Sequence, residues 1–163
     1  KGGGTKFLFQ KFIAKPKAGN FYIWPAYWTH LHQGVNAPKE NKYIITGVYG
    51  SQRILNGKPR RPHYGVDFHA PEGTPVKAMM DGKVTLSESD MYFTGGTIIF
   101  DHGHGISTLY MHMKDIYVKK GQQIKKGEIV GTLGQSGRAT GPHLDIRLNW
   151  FDVKLDPLTI LKN

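Results

Sequence analysis

Short apolar runs separated by glycine-containing turns make up most of this chain, and they constrain its fold more than any other feature. Of its 163 residues, 21 are glycine, and valine and isoleucine fall in runs of a few residues. No long amphipathic helical repeat is present. Short strands bounded by turn residues are typical of antiparallel sheets. The pattern predicts an all-β, β-rich fold in which an antiparallel, sandwich-like sheet follows a short irregular N-terminal extension.

Four glycine turns mark the predicted strands in the second half of the chain. They lie at Asp81–Gly82, Asp101–Gly105, Lys120–Gly121 and Lys126–Gly127. Asp-Gly is a dipeptide that commonly closes a β-hairpin, so a hairpin is predicted around Asp81–Gly82. The segment PHLDIRLNW is predicted as the last strand.

The chain is predicted to divide at residue 42. Residues 1–42 read as a basic, aromatic-rich extension or linker, and residues 43–163 as the folded domain. Within the extension, the apolar stretch 7–13 is compatible with an edge strand or with the tail of an upstream domain, and residues 29–42 predict a loop. The aromatic segment FYIWPAYW at 21–28 is predicted to pack against a core or a neighbouring segment.

The positive charge of the chain is concentrated upstream of residue 63. Residues 1–62 contain eleven Lys and Arg against one acid, Glu40, whereas residues 63–163 contain eleven of each sign, which leaves a net charge of +10. Such a segment can bind an acidic polymer, or it can be a solvated basic flank. No RNA-binding aromatic motif or helix-turn-helix pattern is present, so no nucleic-acid partner is expected.

Two absences in the composition narrow the function further. The chain has no cysteine, which excludes a Cys-ligated metal site, a catalytic thiol and disulfide bonds. No run approaches the roughly 20 apolar residues of a membrane-spanning helix, so no transmembrane segment is expected.

Histidines and carboxylates recur in three short motifs, RPHYGVDF, LYMHM and GPHLD. His63 and Asp67 form an H-x-x-x-D pair, and residues four apart in a strand project from the same face. His143 and Asp145 are two apart in a β-like run and also share a face. Each pair alone has an ordinary structural explanation, as a surface histidine or a turn-capping aspartate. Together they are the kind of ligands that a zinc site with an open position needs.

The LYMHM motif contributes a further histidine. Strict alternation along a strand predicts that Tyr110 and His112 point one way and that Leu109, Met111 and Met113 point the other. A histidine in such a strand is compatible with a structural role or with catalysis, and the motif alone leaves both open.

Taken in order, these segments resemble the lysostaphin-type, or LytM-like, zinc endopeptidases of bacterial cell walls. The resemblance runs from about Gly47 to Leu161 and rests on five ordered segments: GVYGSQRILNGKPRRPHYGVDF, APEGTPVKAMMDGKV, DHGHGISTLYMHM, VKKGQQIKKGEIVGTLGQSGRATGPHLD and DPLTIL. It implies a LytM-like metallopeptidase domain at 43–163 with a groove over the metal.

The resemblance also implies the site and its chemistry. One Zn²⁺ ion would be bound by His63, Asp67 and Asp145, and His112 and His143 would be the catalytic pair. The implied activity is hydrolysis of peptide cross-links in peptidoglycan, in the periplasm or cell envelope, with peptidoglycan and other cell-wall enzymes as partners. No substrate-binding residue is indicated.

Position 145 departs from the family pattern, in which a histidine usually stands there. Three interpretations are open: Asp145 is a working ligand, it marks a loss of metal binding, or it is an engineered change. Two carboxylates in the ligand set favour harder ions such as Mn²⁺, Mg²⁺ or Ca²⁺. On the sequence alone, Asp145→His is expected to raise the affinity for zinc.

Two other functions compete with the peptidase. A catalytically impaired LytM-like domain would keep the groove, hold no metal, and bind and activate a cell-wall amidase. A carrier domain is the other, because VKKGQQIKKGEIVGTLG resembles the glycine turns of biotinyl and lipoyl domains. The lysines of that segment lack the neighbours of a modifiable lysine, which argues against a carrier.

Overall fold

The computed structural model describes residues 4–7, 12–14, 32–35 and 44–161 of the chain. The chain divides into two compact units, residues 1–42 and residues 43–163. The first unit contains an antiparallel sheet in the order β2–β1–β3. Its strands are β1 (Gly4–Phe7), β2 (Phe12–Ala14) and β3 (His32–Val35).

The second unit contains twelve strands and one short helix among its described residues. They are β4 (Ile44–Gly47), β5 (Arg53–Leu55), β6 (Lys58–Arg60), β7 (Val66–His69), β8 (Pro75–Lys77), β9 (Gly82–Met91), β10 (Gly95–Asp101), β11 (Ile106–Ile116), β12 (Gln123–Ile124), β13 (Ile129–Leu133), β14 (Leu144–Trp150), β15 (Val153–Leu155) and α1 (Leu158–Leu161). No helix in the described part of the chain is long and apolar enough to cross a membrane.

Ten of these strands form one antiparallel sheet. Its main order is β12–β9–β10–β11–β14–β7–β4, with β13 joining β11 to β8 and β15 pairing with β14. The strands β5 and β6 form a separate two-stranded ribbon. The predicted antiparallel, β-rich fold is therefore confirmed.

The core includes buried side chains of β10 and β11, two neighbouring strands in the middle of the sheet. Ile98, Phe100 and Tyr110 are fully buried, and the rings of Phe100 and Tyr110 meet edge-to-face with centroids 5.2 Å apart. The buried Tyr110 hydroxyl accepts a hydrogen bond from the Met79 backbone N–H at 2.9 Å. A buried tyrosine needs such a partner, and the bond fixes the end of β8 above β11.

The extension is more regular than the sequence predicts. Residues 29–42, predicted as a loop, include β3, because residues 32–35 pair with β1. The apolar stretch 7–13 is divided between the end of β1 and the start of β2. The aromatic segment 21–28 lies outside the described residues.

The hairpin predicted at Asp81–Gly82 is wrong. The strands on either side do not pair with each other: β8 pairs with β13, and β9 pairs with β10 and β12. The reason is a non-local contact, because the Asp81 carboxylate accepts hydrogen bonds from Lys125 Nζ and the Lys126 backbone N–H, each at 2.8 Å. The Asp101–Gly105 turn does close a hairpin, between β10 and β11. Another strand, β15, follows the one predicted as the last.

Candidate metal and catalytic site

His63 lies three residues before β7, Asp67 lies within it, and their side chains point toward each other. The His63 backbone is held on both sides: its N–H donates to the Ser51 carbonyl at 2.9 Å, and its carbonyl accepts from the Gly50 N–H at 2.8 Å. His63 Nε2 lies 3.3 Å from Asp67 Oδ1. The H-x-x-x-D motif therefore forms one half of a site.

Asp145 completes this cluster from the neighbouring strand. In the pairing of β14 with β7, Asp145 stands directly opposite Asp67. Asp145 Oδ2 lies 3.3 Å from His63 Nε2, and one ligand atom from each of the three residues lies within 4.8 Å of the others. Like charges opposite each other in an antiparallel pair are unfavourable, so the two carboxylates require a cationic partner.

The donor set fits a divalent metal ion. The side chains of His63 and Asp145 are only 1% and 3% exposed. His63 Nδ1 and Asp67 Oδ1 are buried without a hydrogen-bond partner among the described residues. Buried polar atoms are nearly always satisfied, so a carboxylate oxygen without a hydrogen bond, beside an imidazole and a second carboxylate, fits the binding of a cation. One imidazole and two carboxylates are ligands that zinc and harder divalent ions accept.

Two glycines leave room for the carboxylates. A methyl group at Gly65 would collide with Asp145 Oδ1, and one at Gly47 would collide with Asp67 Oδ2. The sequence suggests Gly65 only as a bend between His63 and Asp67. Its larger role is to let the Asp145 carboxylate approach the β7 backbone.

In the metal-free protein the cluster is held by charge. Burial opposes protonation of His63, but its interactions with Asp145 and Asp67 outweigh burial and raise the pKa of His63 to about 9. Burial likewise opposes ionisation of Asp145, but hydrogen bonds from His63 and Arg147 lower the pKa of that carboxyl below its usual value. A protonated His63 therefore takes the cationic role that a metal ion would otherwise have.

His112 lies at a β-bulge in β11. On β10 the partners of Tyr110 and Met113 are Ile98 and Gly96, so β11 carries one residue more than its partner over this stretch. His112 has φ of 64°, a left-handed conformation that is uncommon for a non-glycine residue. Its N–H leaves the ladder and donates to the Thr94 carbonyl at 2.8 Å.

The bulge overturns the predicted alternation of LYMHM. Tyr110 and Met113 are both in the core, whereas Met111 and His112 both line a groove at the surface. His112 therefore lies on the same side as Met111, not on that of Tyr110. A bulge that redirects a side chain next to a cluster of polar groups is a common feature of active sites.

The rings of His112 and His143 lie side by side, with centroids 4.6 Å apart. His112 Nδ1 donates to the Ser136 carbonyl at 3.0 Å, and His143 Nδ1 donates to the Gly141 carbonyl at 2.8 Å. Because a carbonyl only accepts, Nδ1 carries the hydrogen in both rings, and Nε2 of each neutral ring keeps its lone pair. Within the described residues, neither Nε2 makes a hydrogen bond.

Burial lowers the pKa of His112 below its usual value. Its bond to Ser136 opposes this effect, and the nearby His143 adds to it. The neutral form of His112 therefore prevails at neutral pH, and a neutral imidazole with a free Nε2 can accept a proton.

One groove of about 570 Å³ brings the two halves together: Asp67 and Asp145 line it with His112 and His143. Several other residues line the groove that the sequence does not predict as part of the site. The Arg138 guanidinium lies 5.6 Å from the ring centroid of the exposed Phe93, and Arg147 reaches Asp145 from two residues along β14. The i, i+2 spacing signals Arg147, whereas nothing local signals Arg138, which is brought to Phe93 by a backbone bond across two loops.

Comparison with known proteins decides the family. A sequence profile described as peptidase family M23 matches residues 61–157. The chain belongs to peptidase family M23. It is 38% identical over 112 residues to the peptidoglycan DD-endopeptidase ShyA of Vibrio cholerae, covering 68% of this chain and 26% of ShyA. It is 42% identical over 103 residues to an uncharacterized metalloprotease of Haemophilus influenzae, covering 61% and 21%.

Solved M23 structures share the fold. The catalytic domain of lysostaphin from Staphylococcus simulans superposes with a TM-score of 0.66 at 34% identity, covering 74% of this chain and 93% of that domain. A zinc-containing peptidase from Vibrio cholerae gives a TM-score of 0.65 at 34% identity, covering 70% and 36%. This chain spans about a quarter of the length of the curated M23 relatives it matches.

Proposed function

We propose that this M23 chain is a metal-dependent endopeptidase that hydrolyses peptide cross-links of bacterial peptidoglycan in the periplasm or cell envelope. The observation that carries the proposal is the groove that a largely buried His-Asp-Asp cluster shares with two adjacent imidazoles. Relatives named as peptidoglycan DD-endopeptidases support the substrate. Residues 43–163 would be the catalytic domain, and residues 1–42 an extension of it.

His63, Asp67 and Asp145 would hold the ion, and zinc is the ion we propose because one structural relative is described as zinc-containing. A divalent metal at this position supplies a Lewis acid that polarises the scissile carbonyl and lowers the pKa of water.

His112 and His143 would handle the protons and the developing charge. Each presents a lone pair at Nε2, so either can take the proton of the attacking water and return it to the leaving amine. The other, when it has taken a proton from solvent at Nε2 before the reaction, donates a hydrogen bond to the oxygen on which negative charge develops. The hydrogen bonds to Ser136 and Gly141 hold both rings in the tautomer that this requires.

The proposal is tested with cross-linked dimeric muropeptides. The full chain with Zn²⁺ should convert dimers to monomers, detected by chromatography and mass spectrometry, and a chelator should stop the conversion. Dimers that stay intact with Zn²⁺ and with Mn²⁺ would contradict the peptidase. A cell-wall amidase that becomes more active on adding the chain would then support the activator function.

A further inference from the structure

Arg147 makes a two-point contact with Asp145 at the edge of the metal cluster. One guanidinium NH2 donates to Oδ2 at 2.9 Å, and Nε donates to Oδ1 at 3.3 Å. The two residues are two apart in β14, so both side chains leave the same face of the strand. This fork geometry is the one in which arginine binds a carboxylate most strongly.

The surrounding chain accommodates this pair. Gly65, just before β7, faces it, and a methyl group there would lie 2.9 Å from Arg147 Cγ and would collide with Asp145 Oδ1. Asp145 is buried while Arg147 remains 37% exposed, so the guanidinium reaches the carboxylate from the solvent side. The Asp145 carboxylate thus lies between Arg147 and His63 and contacts both.

Arg147 supplies a positive charge that offsets the negative charge of Asp145. A neutral imidazole at position 145, the residue expected from the family resemblance, would leave Asp67 as the one negatively charged ligand. Aspartate adds a second negative charge, and Arg147 adds one positive charge beside it. With His63 neutral, as a metal ligand must be, Asp67, Asp145 and Arg147 together carry a charge of −1, the same as Asp67 with two imidazoles.

We propose that Arg147 is a positioning residue that acts through Asp145, making this carboxylate electrostatically equivalent to a neutral ligand. The proposal rests on the proposed metal site and concerns how that site is tuned. The affinity for a divalent ion should then follow the summed charge of residues 67, 145 and 147. The contact with Arg147 also reverses the expectation from sequence that Asp145→His raises zinc affinity, because the substitution leaves the arginine charge without its partner.

Four proteins with three different summed charges test this. The dissociation constant for Zn²⁺ is measured by competition with a chromophoric chelator over a range of pH and is compared for the form with His63 neutral, because zinc binding displaces the His63 proton. Arg147→Met (charge −2) should bind zinc about tenfold tighter or more than wild type (−1), and Asp145→His (0) about tenfold weaker or more. The double variant Asp145→His with Arg147→Met returns to −1 and should bind within about threefold of wild type.

Two further variants separate charge from structure. Arg147→Lys keeps the charge and loses the fork, so its zinc affinity should stay within about threefold of wild type. Arg53 serves as a matched control, because it lies 3.7 Å from Asp67 Oδ2 but is 51% exposed. Arg53→Met should change the zinc dissociation constant by less than about threefold, since solvent screens exposed pairs.

The outcomes decide between three roles of Arg147. If it merely holds Asp145 in place, Arg147→Met weakens zinc binding, and the proposal is wrong. An unchanged affinity in Arg147→Met, or a double variant that stays as weak as Asp145→His, also overturns it, as does a wild-type chain that binds no zinc.

Thermal unfolding of each metal-free variant shows whether it is folded. If Arg147→Met does not fold, the comparison of Asp145→His with the double variant still decides the matter. These affinities do not depend on hydrolysis, so a chain that binds zinc in the predicted order but leaves muropeptides intact would contradict the peptidase and support the role of Arg147.

Discussion

At the scale of single residues, the proposed site separates residues that would hold a metal ion from residues that would handle protons. His63 contributes the imidazole nitrogen of the cluster, whereas His143 is tied to Gly141 and lines the groove. We predict that His63→Ala loses the bound ion. His143→Ala should retain one equivalent while hydrolysis falls by about 10²–10⁴-fold, the usual contribution of general acid–base catalysis. Metal analysis after gel filtration, together with muropeptide turnover, checks both; a metal-free His143→Ala protein would contradict the assignment.

His63 also predicts how the metal-free protein responds to pH. Its pKa is raised from 6.5 to about 9 on folding, so its contribution to stability is complete below pH 6.5 and is lost as pH rises through 9. At about 1.4 kcal/mol per pKa unit, the loss is on the order of 3 kcal/mol. Denaturant unfolding with a chelator present, between about pH 6 and pH 9.5, measures it.

The comparison for this pH dependence is His63→Gln. It cannot titrate in this range, so its stability should change much less between the two pH values. A wild-type profile that parallels that of His63→Gln would show that the ion pairs with Asp67 and Asp145 contribute little.

At the scale of secondary-structure elements, the bulge in β11 places a residue with a strained backbone, His112, in the groove. A left-handed conformation costs a residue with a side chain roughly 1–2 kcal/mol, and glycine adopts it freely. We therefore predict that His112→Gly is more stable than His112→Ala by about 1 kcal/mol. Both variants lack the imidazole, so the comparison isolates the backbone. In an ordinary strand position glycine is the less stable of the two, and that order here would contradict the strain.

The limits of the sequence prediction also appear at this scale. Strands and turns that depend on local patterns were predicted, such as the hairpin of β10 and β11 around Asp101–Gly105. The hairpin prediction at Asp81–Gly82 is wrong because Asp81 binds Lys125 and Lys126, which lie more than forty residues further along the chain. The predicted direction of the His112 side chain is wrong because one extra residue in β11 shifts the alternation of side chains. Strict two-residue periodicity cannot reveal such a bulge.

The sequence predicts the residues of the candidate metal cluster, but it does not predict the contact between Arg147 and Asp145. The spacing of His63, Asp67 and Asp145 is visible in two short motifs, and the structure brings their donor atoms together. Arg147 is visible in the same motif, but its importance depends on the room left by Gly65 across the sheet. A contact that depends on two strands meeting cannot be read from either strand alone.

At the scale of the whole chain, the charge is divided unevenly. Residues 1–62 carry the entire net charge of +10, and the remainder, which contains the proposed catalytic residues, is neutral. Seven of the eleven upstream Lys and Arg lie in residues 1–42, before the domain proposed to be catalytic, and would affect attachment to an acidic wall polymer more than turnover. Attachment should therefore depend on salt, since the screening length falls from about 10 Å at 0.1 M to about 3 Å at 1 M.

We predict that the full chain binds insoluble peptidoglycan sacculi in low salt and is released as salt rises. Turnover of soluble dimers should change far less. Replacing four upstream lysines with glutamine should lower sacculus binding at low salt by about tenfold or more without altering dimer turnover; these are Lys6, Lys11, Lys15 and Lys17.

The matched control makes the same change in charge on the neutral part of the chain, at four exposed lysines: Lys77, Lys83, Lys119 and Lys120. If attachment depends on the concentrated upstream charge, this control weakens sacculus binding much less than the upstream variant does, although the two have identical net charge. Equal losses would mean that net charge alone governs attachment, and the uneven distribution would then have no part in bringing the enzyme to the wall.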